Sequence, residues 1–159
     1  MRTTPMCFVL FTLMAGATPL SVKAQEASTA QPAAHAPQIL TFDGEAALLT
    51  VAIKPDKTAD FEAIVKRTRD ALLASSDPKR QQQAAGWKVM RLQQTMPDGS
   101  VPYVHIIYPV VHGVDYSLMQ TLYEAFPDER QALYDTYRAA FSKNVSLAVG
   151  AIAVDLSKP

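Results

Sequence analysis

The sequence predicts an α+β fold in which two strand–helix–strand units follow one another along the chain. Residues 87–111 contain two alternating runs joined by turn residues, which is the pattern of a β-hairpin. Apolar residues recur at helical spacing on both sides of this hairpin, and an apolar strand-like run stands at each end of the domain. A four-stranded antiparallel sheet with the helices on one face accommodates this order through two right-handed crossovers.

The first strand and the first long helix are predicted from residues 46–76. The run AALLTVAI at 46–53 places three large apolar side chains on one face of a strand. Thr58 is a suitable N-cap for the helix that follows, because its hydroxyl can accept a hydrogen bond from a backbone amide. Carboxylates in the first turn also suit the helix dipole. Apolar residues then recur every three or four positions until Ser75, so we expect one face of this helix to be buried.

A short polar helix is predicted before the hairpin. Asp77 followed by Pro78 is typical of an N-cap and a first helical position, and Gly86 is typical of a helix end.

The hairpin turn at residues 96–99 (MPDG) predicts how the two central strands are paired. Pro97, Asp98 and Gly99 suit a type I turn with Gly99 in the left-handed position, so Met96 should pair with Ser100. Extending this register places Arg91 opposite His105, Gln93 opposite Tyr103, and Val89 opposite Ile107.

Because side chains alternate along a strand, the hairpin has two faces of different character. The mixed face carries Trp87, Val89, Arg91, Gln93, Tyr103, His105 and Ile107. The apolar face carries Met90, Leu92, Val104, Ile106 and Tyr108. We expect the helices to cover the apolar face and to leave the mixed face open. The mixed face is too apolar to lie in water, so we expect a second copy of the chain to pack against it.

The second half of the domain repeats the pattern of helix and strand. Asp115 is the expected cap of a helix that runs to Phe126, where Pro127 interrupts it. A second helical run begins at Asp128, and residues 145–156 are predicted as the last strand.

The N-terminal residues have the composition of an export signal. Arg2 precedes a short apolar run, and small residues suit a cleavage site after Ala24. We therefore predict a signal peptide at residues 1–24, a flexible linker rich in Ala, Gln and Pro at residues 25–44, and a folded domain at residues 45–157. The protein is expected to be exported, periplasmic or secreted, with no membrane span after cleavage.

Composition excludes several classes of function. Removing Arg2 and Lys23 leaves 13 basic and 15 acidic residues, so the mature chain has no electrostatic attraction for nucleic acid or anionic membranes. The single cysteine, Cys7, lies in the predicted signal peptide, so disulfides and thiol catalysis are not expected. His105 and His112 alone do not make a metal site, which needs more converging ligands.

The order of elements and the amphipathic sheet face resemble those of the dimeric α/β-barrel superfamily of ferredoxin-like domains. The likeness covers residues 46–156, and the segments RQQQAAGWKV at 80–89, DG at 98–99 and AFPDE at 125–129 look like those of uncharacterised exported bacterial members. The resemblance implies a ferredoxin-like βαββαβ domain that pairs into a homodimeric barrel. Haem-handling members of the superfamily would imply a His facing the lumen. His105 fits that position, but no haem motif matches, so no cofactor is expected.

The candidate site is the polar group of the mixed face. His105 and Arg91 are the candidate catalytic pair, because a neutral imidazole beside a guanidinium suits a general base or an anchor for a ligand carboxylate. The candidate ligand-binding residues are Trp87, Tyr103, Ile107 and Gln93. The alternative for all of them is packing: His105 and Arg91 would make intersheet hydrogen bonds, and the aromatic residues would fill interface volume.

Two functions from different classes follow from this site. The first is an exported module that binds a small apolar or aromatic molecule or is purely structural. The alternative is a cofactor-independent monooxygenase or isomerase for a small aromatic or polyketide-like substrate, with His105 as the base and Arg91 steadying an enolate-like anion. A cavity of at least ~300 Å³ that reaches both residues would favour a ligand or substrate, and a closed, packed lumen would favour a structural module.

Overall fold

The computed structural model describes residues 39–157, and these form an α+β domain. The strands are β1 (Ala46–Ile53), β2 (Trp87–Arg91), β3 (Val101–Ile107) and β4 (Phe141–Gly150). The helices are α1 (Thr58–Ala74), α2 (Pro78–Gly86), α3 (Leu118–Ala125) and α4 (Arg130–Ala140), with single 3-10 turns at Pro55–Lys57 and Pro127–Glu129. The strands form one antiparallel sheet in the order β2-β3-β1-β4, which confirms the α+β class and is consistent with a ferredoxin-like arrangement.

Of the three N-caps predicted from the sequence, one is confirmed and two are wrong. Asp77 caps α2 by accepting a hydrogen bond from the Lys79 amide at 2.9 Å, as predicted. Thr58 is not a cap, because the 3-10 turn before it leads directly into α1. Ser117 caps α3 in place of Asp115, whose carboxylate instead accepts from the backbone amides of Leu40 and Ser117.

The hairpin turn forms as predicted, but the register beyond it is shifted by two residues. The Met96 amide donates to the Ser100 carbonyl at 2.8 Å, and Gly99 has a φ of 80°. Beyond the turn, the Leu92 amide donates to the Pro102 carbonyl, so two extra residues bulge out of the β2 side. His105 therefore faces Val89, Tyr103 faces Arg91, and Ile107 faces Trp87.

The buried side of the sheet is the opposite of the predicted one. Phe61 of α1 packs 4.8 Å from the Tyr103 ring and 6.2 Å from the His105 ring, measured between ring centroids, so the helices cover the mixed face. The reason lies in β1, whose residues Leu49, Val51 and Ile53 pair with His105, Tyr103 and Val101 and share their face. Together with Trp87, they form one continuous apolar cluster with Phe61 of α1, which the helices bury.

The face that the helices leave open is the apolar one. We call it the open sheet face; its larger apolar members are Leu48, Met90, Val104, Ile106 and Tyr108. Leu48, Met90 and Tyr108 are each nearly half exposed. The prediction that the helices cover these residues is therefore wrong, and the apolar side chains that stay exposed lie on the opposite side of the sheet from the predicted one.

The last strand begins earlier and ends earlier than predicted. β4 follows α4 without a loop and ends at Gly150, whereas the sequence predicted residues 145–156. The Lys54 amide donates to the Ala140 carbonyl at 2.9 Å, which holds the junction of α4 and β4 against the end of β1. A bulge around Val145 interrupts the pairing of β4 with β1, and nearly all of β4 is exposed.

The folded domain begins before residue 45. Phe42 is 4% exposed and packs beside Tyr116, with 5.2 Å between ring centroids, and the Tyr116 amide donates to the Leu40 carbonyl at 2.8 Å. The predicted flexible linker is therefore wrong for residues 39–44. Its remainder and the predicted signal peptide lie outside the described residues. Among residues 39–157, no helix has the length and apolar character needed to cross a bilayer.

We expect Phe42→Ala to lower the free energy of unfolding by about 3 kcal/mol, because it leaves a cavity where the buried aromatic ring was packed. Urea unfolding measures the change. Ile39→Ala is the matched control: Ile39 is 72% exposed, so its truncation should change stability by less than about 0.5 kcal/mol. Equal effects of the two variants would show that residues 39–44 do not belong to the core.

Candidate functional site

The centre of the candidate site is His105, in the middle of β3. Its side chain is 2% exposed and lies beneath α1. Trp87 donates a hydrogen bond from its indole Nε1 to His105 Nδ1 at 3.1 Å. The other ring nitrogen, Nε2, is buried without a hydrogen-bond partner among the described residues. One edge of the imidazole thus has a hydrogen-bond partner, and the other has none among the described residues.

His105 also lines a cavity of about 620 Å³ beside the edge strand β4, which we call the His105 cavity. Its apolar lining residues are Ile39, Leu40, Leu49, Val51, Leu118, Met119, Val145 and Leu147. Its polar lining residues are His105, Tyr116, Ser117, Tyr137, Asn144 and Ser146. None of the described residues that line it carries a formal charge, so the cavity suits an uncharged, mostly apolar molecule.

Burial controls the ionisation of the groups in this cavity. Desolvation lowers the pKa of His105 to about 4, so the imidazole is neutral at pH 7. Burial likewise raises the pKa of the Tyr137 and Tyr116 hydroxyls, which stay protonated. The Tyr116 hydroxyl accepts a hydrogen bond from the Val111 amide at 2.8 Å, which fixes its ring against the cavity wall.

Arg91 lies at a different place, on the rim of the sheet near α1. Its guanidinium is 3.5 Å from a carboxylate oxygen of Glu62, and its side chain is 53% exposed. The Tyr103 hydroxyl donates to the same carboxylate at 2.5 Å, and desolvation together with this bond raises the pKa of Tyr103 to about 12. Arg91 thus completes a surface ion pair, and it does not line the His105 cavity.

The structure brings together only part of the predicted site. His105 lines the cavity, and Trp87 reaches the cavity only through its hydrogen bond to His105. Tyr103 and Ile107 are buried in the core, and Gln93 lies exposed in the bulge before the turn. The proposed catalytic pair is wrong in its geometry, because Arg91 pairs with Glu62 and faces Tyr103 rather than His105.

The remaining cavity residues were not predicted from the sequence. Tyr137 shows the helical spacing of a core residue and gives no local sign of a site, and Tyr116 stands next to a helix cap. Leu147 and Asn144 lie on β4, whose bounds the sequence misplaced. Their common position follows only from the pairing of β4 with β1 and the packing of α3 and α4.

A second cavity of about 540 Å³ lies between α1 and α3, but its polar groups already have partners. Arg80 donates to Glu124 at 2.7 Å and to the Asp115 carbonyl at 3.0 Å. The His105 cavity is therefore the better candidate, since one of its lining residues has a buried polar atom that lacks a partner among the described residues.

No protein-family model, curated protein or solved structure matches this chain. The function must therefore be argued from the site itself. Within residues 39–157, no three His, Cys, Asp or Glu side chains are grouped as the ligands of a metal ion would be.

We expect the burial of neutral His105 to make stability fall as the pH is lowered. The unfolded chain binds a proton at this ring below pH ~6.5, whereas the folded chain does so only below about pH 4. The unfolded state thus binds more protons between these values, and the free energy of unfolding should drop by about 2 kcal/mol from pH 7 to pH 5. Urea unfolding at both pH values measures the drop.

His105→Asn is the control, because the asparagine carbonyl can still accept from Trp87 but does not titrate. The pH-dependent loss should be smaller by about 2 kcal/mol in this variant. The same loss in both proteins would show that His105 is not the group responsible.

Proposed function

We propose that this protein is an exported homodimeric module that binds a small apolar molecule in the His105 cavity. The observation that carries the proposal is a cavity of about 620 Å³ with an uncharged lining, one member of which, His105, has a buried ring nitrogen with no partner among the described residues. Ligand sites are commonly concave, mostly apolar and supplied with a few oriented polar groups. The volume lies within the range of such sites, roughly 300–1,000 Å³.

Binding is favoured over catalysis by the composition of the cavity. The predicted isomerase or monooxygenase mechanism needs a base and a cation at one centre, and Arg91 is engaged with Glu62 outside the cavity. The two cavity tyrosines have raised pKa values and stay protonated at neutral pH. A neutral imidazole among apolar side chains orients a ligand, and it lacks the charged partner that the predicted reaction requires.

The homodimer is supported by the open sheet face. Its apolar side chains come from the strands β1, β2 and β3. On β2, Lys88 also points to this face and is charged. A two-fold axis would bring the same apolar surface of a second copy against it, which satisfies both copies at once. The sequence supports export through the predicted signal peptide at residues 1–24, and the mature chain would then rely on core and dimer burial without disulfides.

We expect Leu147→Trp to weaken ligand binding at least tenfold, because a larger side chain would fill part of the cavity wall. Ligands would first be found by a thermal-shift screen of small apolar and aromatic compounds on the purified protein. The affinity of each ligand can then be measured by the fluorescence of Trp87, the only tryptophan of the chain. Leu147→Trp adds a second indole, so the fluorescence titration compares the wild type with Leu147→Phe, which also enlarges the side chain.

Two controls separate this effect from general destabilisation. Leu73→Trp changes a leucine of similar exposure, 54% against 52%, that does not line the cavity, and it should leave the thermal shift unchanged. Arg91→Ala should also bind as the wild type does. Loss of binding in Arg91→Ala, with binding kept in Leu147→Trp, would place the ligand elsewhere.

We expect the protein to sediment as a dimer and Leu48→Lys to shift it toward monomer, because the substitution places charges on the open sheet face of both copies. Sedimentation equilibrium over a range of protein concentrations measures the change. Leu73→Lys, on the outer side of α1, is the matched control and should remain dimeric. A monomeric wild-type protein would remove the homodimer from the proposal.

A further inference from the structure

We propose that Trp87 holds His105 as the Nε2–H tautomer, and that this N–H donates a hydrogen bond to a neutral carbonyl oxygen of the ligand in the His105 cavity. The inference rests on the proposed function and adds to it the chemical class of the ligand. It also assigns Trp87 the role of a positioning residue, which acts through His105 and does not line the cavity.

The tautomer follows from the direction of the hydrogen bond between the two rings. An indole N–H can only donate, so His105 Nδ1, 3.1 Å away, must accept with its lone pair. In a neutral imidazole the single proton then belongs to Nε2. Burial keeps the ring neutral at pH 7, since it lowers the pKa of His105 to about 4. His105 is therefore a hydrogen-bond donor toward the remaining side of the ring, and it is not a base there.

The donor has no partner among residues 39–157. His105 Nε2 and Asp115 Oδ2 are the two buried side-chain atoms of the described residues that lack a hydrogen bond. Asp115 already accepts two backbone amides through its other oxygen, whereas His105 has nothing else to donate to. Leaving a buried donor unsatisfied costs roughly 1–3 kcal/mol in general, so a ligand acceptor at this position would recover free energy on binding.

The lining of the cavity narrows the class of ligand. A carboxylate or phosphate would need a cation, and none of the described lining residues supplies one. An ammonium group can only donate, and the ring edge that it would face also donates. A carbonyl oxygen accepts the N–H without carrying a charge, and Leu49, Leu118 and Met119 can surround the apolar remainder of such a ligand. The sequence-based idea of a ligand carboxylate is thereby replaced by a neutral ketone, quinone or ester.

The first test is the protonation state of the imidazole in the full chain. Long-range ¹H–¹⁵N correlation spectra distinguish a protonated ring nitrogen from a bare one, and the chain has only three histidines and one indole to assign. We expect His105 Nε2 to be protonated and Nδ1 bare in the wild type at pH 7. In Trp87→Phe, which removes the donor and keeps an aromatic ring, the two tautomers should be mixed. A wild-type ring with its proton on Nδ1 would overturn the proposal.

The second test compares two probes that differ only in the acceptor, benzophenone and diphenylmethane. The wild type should bind the ketone about tenfold more tightly, the preference expected from the net contribution of one hydrogen bond. His105→Phe should abolish the preference while keeping affinity for diphenylmethane. Trp87→Phe should reduce it, and this variant keeps the test valid if His105→Phe does not fold. A ¹³C-labelled benzophenone carbonyl should show a downfield shift with the wild type and none with His105→Phe.

The outcomes separate this inference from the proposed function. Equal affinity of the wild type for both probes would overturn the carbonyl assignment and leave an apolar binding cavity in place. Binding of neither probe, together with an empty thermal-shift screen, would remove both. Ketone preference that persists in His105→Phe would assign the donor to another lining residue, such as Tyr137 or Asn144, and would overturn the role of His105.

Discussion

The constraint on which this fold depends is the pairing of β1 with β3. It places Leu49, Val51 and Ile53 on the same sheet face as His105 and Tyr103. Burying Val51 and Ile53 beside Phe61 of α1 therefore buries a histidine and a tyrosine as well. Each fully buried aliphatic side chain contributes roughly 1.5–3 kcal/mol, whereas a buried polar side chain is tolerated when it finds a hydrogen bond. The polar residues follow the apolar ones inward.

The two polar side chains meet this requirement in different ways. Tyr103 reaches the edge of the core and donates to Glu62, so its hydroxyl is satisfied within the protein. His105 lies deeper and obtains one hydrogen bond, from Trp87, and its second nitrogen has no partner in the part of the chain that the structure describes. Tyr103 is thus satisfied within the domain, whereas His105 keeps one buried nitrogen without a hydrogen bond among the described residues. Function is expected where burial is not fully compensated within the chain.

Local patterns predicted the elements well and their connections less well. The turn at residues 96–99, the cap at Asp77 and the break at Pro127 depend on a few neighbouring residues, and all three are present. The predicted register was wrong beyond the point where two residues bulge from the β2 side, because no local residue type marks such a bulge. The predicted start of β4 was wrong because α4 leads into the strand with no turn residue between them. The buried Phe42 was missed because its surroundings have the composition of a linker.

The sequence by itself determined which hairpin residues share a face, and this survived a two-residue shift of register because side chains alternate with a period of two. Only the tertiary structure decided which of the two faces is buried, since that choice depends on the apolar area summed over four strands and their helices. It also decided the site: Leu49, His105, Tyr137 and Leu147 come from four separate elements and meet only when the sheet and helices pack. Periodicity is a local property of the chain, whereas burial and cavities are properties of the whole packed domain.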